Sequence, residues 1–500
     1  MAAALILSLT SLFRFWYSAT HGLVQDEAYY WQWSRHLAWG YYDNTPLIAP
    51  VIRLFTTLLG DTQLGVRSGA IVCSFIALSF IYLIARRLCG PLVALVSLLI
   101  SGVLPLFAIG AMLMTQDPVQ LACWGATLYM VLFALDGKGW LWLVAGVFAG
   151  LTAMAKFNGW LIVPSILLFL VIEPTYRKKW LMRPEPYIAA LIAFAEFVPF
   201  LWWNHTHQDV FWHHILSVGS RGSGHDGLRW FWRFLGDQAV ELSPLLLIAL
   251  IYILWRAPKE KDPEKRFASL FLWAPTFTVF ASTTLVSLRS KVEGNWAASA
   301  YFTGVILLAQ LLIALWSTGR MRWRVLVTVS CVLSILISTV GLYPDVLYAV
   351  GIRMSNPRQD RTNETYGWPT LAERAEAEQK AVGGDAFVLG ANYRIPSEIS
   401  FYTPGHPATY CIALLDRPTE YMFWQDLQHN LIGRNAVFLN DSDIQDHVNR
   451  LRQVFDRVEI QPPLLIYRNP PYGDRPIRVI QVYRCFGFKG YDQSVWQSGW

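Results

Sequence analysis

Charge-free apolar stretches of bilayer length recur along this chain, at 91–116, 267–288, 294–319 and 325–344. A helix rises about 1.5 Å per residue, so about 20 apolar residues cross the hydrocarbon core of a membrane. Inside that core every backbone N–H and C=O needs an internal partner, which a helix supplies. These stretches therefore restrict the chain to an α-helical polytopic membrane fold over its first 344 residues. Composition agrees, with 54% of the 500 residues hydrophobic and 15% charged, against about 25% charged in soluble domains. The 23 tryptophans suit the membrane–water boundary.

Apolar runs predict about 11 spans, near 1–19, 64–85, 91–110, 118–135, 139–155, 158–173, 187–204, 238–255, 267–288, 297–316 and 325–343. The first holds Arg14 and resembles a signal peptide in length, but no small-residue cleavage site follows it, so it is read as a span. Basic residues gather between alternate spans: Arg86-Arg87, Lys138, Arg177–Lys179 with Arg183, the 256–266 loop, and Arg320, Arg322 and Arg324. Such residues stay cytoplasmic, so loops 20–63, 111–117, 205–237 and 289–296, and the turn at Lys156, face outward. The N-terminus is then inside and the C-terminus outside. The net charge of +6 is spread over these loops and is no nucleic-acid footprint.

From about residue 345 the pattern changes. A helical stretch at 371–380 precedes short β-rich runs at 386–389, 409–414, 436–439, 464–467 and 477–483, with a further helical pattern at 444–455. This predicts an extracytoplasmic α/β domain, 345–500, large enough for its own core. Cys73, Cys89, Cys123 and Cys331 fall in or beside spans, where reduced thiols are expected. Cys411 and Cys485 lie in the tail and are either separate or bridged.

The outer loops hold the chemistry-bearing residues. The first, 20–63, is strongly aromatic, and Tyr29, Tyr30, Trp31, Trp33, Trp39, Tyr41 and Tyr42 suit helices lying in the interface plane. At its head stand Asp26 and Glu27. They read either as a helix start or as a general base with its support. Asp117, before Pro118, is likewise a helix cap or a second acidic site residue. Lys156 either snorkels or neutralises a leaving phosphate. Arg289, Lys291 and Glu293 bring positive charge to an outward loop, as a solvated rim or as phosphate ligands. Gly222, Gly224 and Gly227 imitate a dinucleotide fingerprint, but no strand precedes them. His205, His207, His213, His214 and His225 lack a clean metal-ligand spacing.

The segments DEAYYWQWSRHLAWGYYDNTPL, GVRSGAIVCSFIALSFIYLIARRL, MTQDP, GLTAMAKFNGW and SKVEGNW, in that order, resemble bacterial dolichyl-phosphate-mannose–protein mannosyltransferase-like glycosyltransferases. These stand with the lipid A aminoarabinose and galacturonosyl transferases in the multispanning GT-C class. The resemblance covers about residues 20–300. It implies a bacterial inner-membrane enzyme that moves a sugar, with inversion, from a polyprenyl-phosphate donor to a cell-envelope lipid, glycan or protein acceptor on the periplasmic side. It implies Asp26 as the base, Glu27 as its support and Asp117 as the second acid. Lys156, Arg289 and Lys291 become donor-phosphate ligands, and Tyr29, Tyr42, Asp43 and Glu293 sugar or acceptor contacts. Asn44 departs from the pattern, since aminoarabinose transferases carry Lys at that place. The metal-ligating His of that pattern is not evident, so no metal is assigned. The competing reading is a flippase or transporter of lipid-linked sugars, which would place its charges near the midplane.

Overall fold

The computed structural model describes residues 1–220, 227–352, 354, 356–412, 418–424, 430–441, 445–468 and 471–491. Helix α1 (Ala2–Thr20) ends where His21 turns extended, and α2 (Gln25–Arg35) and α3 (Ile48–Leu59) fill the first loop. Helix α4 (Gln63–Cys89) is capped by Thr62, whose hydroxyl accepts the Gly65 N–H at 3.0 Å. Gly90, at φ 92°, stops it, and Pro91 starts α5 (Pro91–Val103). Pro105 breaks the next turn and leaves a short α6 (Pro105–Ile109).

Helices α7 (Gln116–Leu135), α8 (Leu141–Ala155), α9 (Ile162–Ile172), α10 (Pro174–Trp180), α11 (Glu185–Thr206), α12 (Val210–Ser220), α13 (Gly227–Leu242), α14 (Pro244–Arg256), α15 (Pro263–Ser287), α16 (Ala298–Ser317) and α17 (Met321–Leu342) follow. Among the described residues seven helices are long and apolar enough to cross a membrane, and up to nine if each bent pair is one span. The bends, 111° at α9–α10 and 107° at α13–α14, fall where Pro174 and Pro244 open the second helix. A count of eleven also needs α5 with α6, and α8. Those two positions hold helices of 13, 5 and 15 residues, of which even α8 is only about 22 Å long.

The bundle core sits on α4, α7, α8 and α16, where Trp124, Tyr301 and Phe302 have no exposure. In contrast, α17 is only 22% and α11 28% buried, and they display Val329, Leu336, Leu191 and Trp202 outward. Such an apolar exterior is the mark of a lipid-facing surface.

Beyond α18 (Asp345–Ala349) and α19 (Trp368–Val382) comes a five-stranded sheet of order β2-β1-β3-β5-β4. Strands β1 (Phe387–Gly390), β2 (Tyr410–Cys411) and β3 (Ala436–Asn440) are parallel. β5 (Arg478–Phe488) pairs antiparallel with β3, and β4 (Phe455–Ile466) pairs antiparallel with β5 at the edge. Helices α20 (Arg394–Tyr402), α21 (Tyr421–Trp424) and α22 (Gln445–Val454) complete the tail. Residues 413 and 414 of one expected strand, and residue 444 of the expected last helix, lie outside the described residues. Cys411 on β2 and Cys485 on β5 are three strand spacings apart in the sheet order, about 14 Å, too far for a disulfide.

The aromatic first loop departs from expectation. Tyr29, Tyr30, Trp31, Trp33, Tyr41 and Tyr42 are buried, and of the seven aromatics only Trp39 is exposed. Instead of lying in an interface plane, α2 packs under the tail, with Trp31 edge-on to Phe401 at 5.1 Å and Tyr29 stacked on Tyr393 at 4.1 Å. Covering by α20 gives these rings protein partners in place of lipid headgroups.

Candidate functional site

Asp26 and Glu27 are neighbours on the first turn of α2 and point to different surroundings. Glu27 is wholly buried. Its carboxylate receives the Arg67 guanidinium through Nη2 at 2.6 Å and Nε at 2.8 and 3.1 Å. It also accepts the N–H of Val24 at 3.0 Å and of Met114 at 2.8 Å. Arg67 spends its other donors on the carbonyls of His21 at 2.9 Å and Gly22 at 2.7 Å. One ion pair therefore ties the end of α1, the start of α2, the body of α4 and the segment leading into α7. The paired lone pairs and donors satisfy the requirement for burying charge. Glu27 holds the site together, with no lone pair directed at a reactant.

Asp26 is exposed. Its Oδ1 accepts the Tyr393 hydroxyl at 2.8 Å. Tyr393 stands between β1 and α20, so the tail supplies a direct contact to this carboxylate. Asp26 and Asp43 both act electrostatically on the buried Tyr30 hydroxyl. Burial, with those two carboxylates adding to it, pushes the Tyr30 phenol well above its ordinary range.

Asp117 occupies the first turn of α7. Lys156 donates to its Oδ1 at 2.6 Å and Asn295 to its Oδ2 at 2.7 Å. Asn158 bridges the same region, accepting from Gln120 at 2.8 Å and donating to the Trp296 carbonyl at 3.0 Å. The MTQDP, AKFNGW and EGNW segments thus converge on one buried carboxylate. Glu241 on α13 lies within electrostatic reach of Asp117, Lys156 and Asp237, and it lines an apolar cavity of about 360 Å³ with Asp117 and Asn295. Lys291 and Glu293 pair with each other and act on Asp237. Arg289 is exposed and, among the described residues, joins no ion pair.

Tyr29 and Tyr42 meet a residue that sequence reasoning missed. The Glu420 N–H donates to the Tyr29 hydroxyl at 2.8 Å, and the Tyr42 N–H donates to Glu420 Oε2 at 2.6 Å. Burial pushes the Glu420 carboxyl well above the usual range against the Tyr42 hydrogen bond, and the charge of Asp43 adds to the rise. Glu398 on α20 is also fully buried, with no hydrogen bond to either oxygen. Burial raises it in the same sense, with Arg478 opposing. Neither Glu420 nor Tyr393 carries a local signal, because their partners come from a loop several hundred residues earlier.

Among the described residues no three His, Cys, Asp or Glu side chains are grouped to hold a metal. His205 is exposed beside Asp209 at 3.7 Å, His207 stacks on Trp203 at 4.2 Å, and His214 packs near Tyr42 at 5.1 Å. His225, Gly222 and Gly224 lie outside the described residues.

Residues 43–203 match the family described as dolichyl-phosphate-mannose-protein mannosyltransferase. The lipid A galacturonosyltransferase RgtD of Rhizobium johnstonii is 27% identical over 325 residues, 64% of this chain and 67% of that protein. The undecaprenyl phosphate-alpha-4-amino-4-deoxy-L-arabinose arabinosyl transferase 1 of Pseudomonas fluorescens is 26% identical over 264 residues. That match spans 49% of this chain and 46% of that protein, so about half of either. In fold, the chain is similar to ArnT from Cupriavidus metallidurans, in its apo state and bound to undecaprenyl phosphate. The TM-score is 0.62 in both, at 14% and 15% identity, over 96% of this chain and 97% of that one.

Proposed function

We propose that this relative of the dolichyl-phosphate-mannose–protein mannosyltransferase-like and lipid A-modifying transferases is itself an inverting, polyprenyl-phosphate-sugar-dependent glycosyltransferase. The observation that carries the reading is the contrast at the head of α2: a locked Glu27 beside an exposed Asp26 whose orientation is set by Tyr393. The activities for which the relatives are named support sugar transfer to a lipid acceptor, and one related structure was determined with undecaprenyl phosphate.

In this reading Asp26 takes the proton from an acceptor hydroxyl or amine as it attacks the anomeric carbon. The bond from that carbon to the phosphate oxygen breaks, and the phosphate departs on its lipid with the bonding pair. One displacement inverts the anomeric centre. A sugar phosphate ester already has a good leaving group, so the chain's task is to position the reactants, supply the base and neutralise the phosphate. Lys156, held by Asp117, and the exposed Arg289 and Lys291 are the candidates for that neutralisation. Tyr29, Tyr42, Asp43 and Glu293 would contact sugar or acceptor.

The charge pattern of the loops supports an outward-facing site, with the N-terminus cytoplasmic and the tail periplasmic. The membrane catalytic domain is then 1–344 and the outer domain 345–500. The test is transfer from a radiolabelled polyprenyl-phosphate sugar in membranes, wild type against Asp26→Asn. A lost base lowers turnover by about 10²–10⁴-fold at unchanged protein level. Equal transfer in both would remove Asp26 from catalysis. Transport of the donor without transfer would favour a flippase.

A further inference from the structure

Arg14 stands in the membrane span α1, 3% exposed. One terminal nitrogen donates to the Phe107 carbonyl at 3.1 Å, and the other, Nη1, has no hydrogen-bond partner among the described residues. Removing a guanidinium from water without a counter-charge costs several kcal/mol, and an apolar side chain of similar volume in its place is often neutral or stabilising. The fold alone therefore does not account for a cation here. Arg14 also borders two apolar cavities. One, of about 360 Å³, contains Asp117, Glu241 and Asn295 at its polar end. The other, of about 460 Å³, is a cleft between α1, α5 and α17 lined by Phe13, Ile335 and Leu342, on the helix most exposed to lipid.

A ligand for this position needs an anionic head for the open guanidinium donor and a long apolar body for the cleft. We propose that Arg14 binds the phosphate of a lipid-linked phosphate whose hydrocarbon chain occupies the cleft between α1 and α17. The fork of an Arg suits phosphate oxygens better than a point charge does. The choice of phosphate over other lipid anions rests on the transferase reading. The cleft gives the lipid a sideways route from the bilayer, and of the two carboxylates that share the first cavity Asp117 is already paired with Lys156. Bound there, the phosphate has the Asp117–Lys156–Asn295 cluster on one side and its tail on the other.

The test uses the purified full chain in detergent with no sugar donor, so it is independent of whether transfer occurs. Farnesyl phosphate, farnesol and inorganic phosphate are each titrated against wild type, Arg14→Met and Arg14→Lys. Farnesyl phosphate is expected to raise the unfolding midpoint of the wild type. Its affinity should fall at least tenfold in Arg14→Met, with partial recovery in Arg14→Lys. The unliganded midpoint of Arg14→Met should equal or exceed that of wild type, while farnesol binding is indifferent to both changes. Unaltered farnesyl phosphate affinity in Arg14→Met, or in Arg14→Lys if the first variant does not fold, overturns the proposal. Inorganic phosphate binding through Arg14 as tightly as farnesyl phosphate overturns the assignment to a lipid. Arg14-dependent binding in a chain that transfers no sugar would support the site and count against the transferase.

Discussion

A carboxylate that is to accept a proton needs one oxygen open and its orientation fixed. Tyr393 meets the second need by donating to Asp26 Oδ1 at 2.8 Å while its ring stacks on Tyr29. A hydrogen bond to a charged group contributes about 1.5–3 kcal/mol. Tyr393→Phe keeps the stack and removes the donor to Asp26, together with the hydroxyl that faces Arg394, so kcat should fall about tenfold or more with KM for the lipid donor unchanged. A kcat equal to wild type, or a rise in KM alone, would show that Tyr393 only packs. Asp26, Asp117 and Lys156 were readable from sequence because each is a charge placed where an apolar run ends. The separate duty of Glu27 was not, since nothing local to an Asp-Glu pair says which member will face Arg67. Tyr393 and Glu420 were invisible for another reason: their bonds to Asp26 and Tyr29 join residues 367 and 391 positions apart.

Helices in this bundle meet closely where small residues face each other. A Cβ built on Gly146 of α8 would lie 2.5 Å from the Ala189 carbonyl oxygen and 2.8 Å from its Cα, both on α11. Backbone cannot swing aside as a side chain can, so Gly146→Ala should push α8 from α11 at a cost of about 1–3 kcal/mol. That loss appears as a lower unfolding midpoint in detergent, and an unchanged midpoint would mean that the crossing is loose. The strands β1 and β3 were legible as short continuous apolar runs, buried at every position, and β5 and helix α19 as β-rich and helical patterns. Helix α20 was not anticipated: its Pro396 and β-branched Ile395 and Ile399 weaken helix propensity, and tertiary packing over α2 decides the conformation. The same packing overrode the interfacial reading of the aromatic loop. The bends at Pro174 and Pro244 escaped because a proline at a helix start looks alike whether the helix turns back or goes straight on.

At the scale of the molecule, the tail and the first loop share buried carboxyls. Burial raises the folded pKa of Glu420 and Glu398 well above the ordinary value. Above about pH 4.3 an unfolded glutamate has released its proton while these keep theirs. The folded state then binds more protons, so stability falls as pH rises toward the folded values. The unfolding midpoint should decline from pH 5 to pH 8. Glu420→Gln retains an oxygen for the Tyr42 N–H and removes one titration, so its slope should be shallower. An identical slope would show that Glu420 does not carry a buried proton. The same docking has a consequence in time. Ribosomes add about 5–20 residues per second, so the 367 residues separating Asp26 from Tyr393 take about 20–70 s to appear. Throughout that interval the loop bearing Asp26 exists without its lid, and a chain cut short anywhere before Tyr393 never sets this carboxylate. Synthesis past Tyr393 is thus itself a condition for this carboxylate to be set.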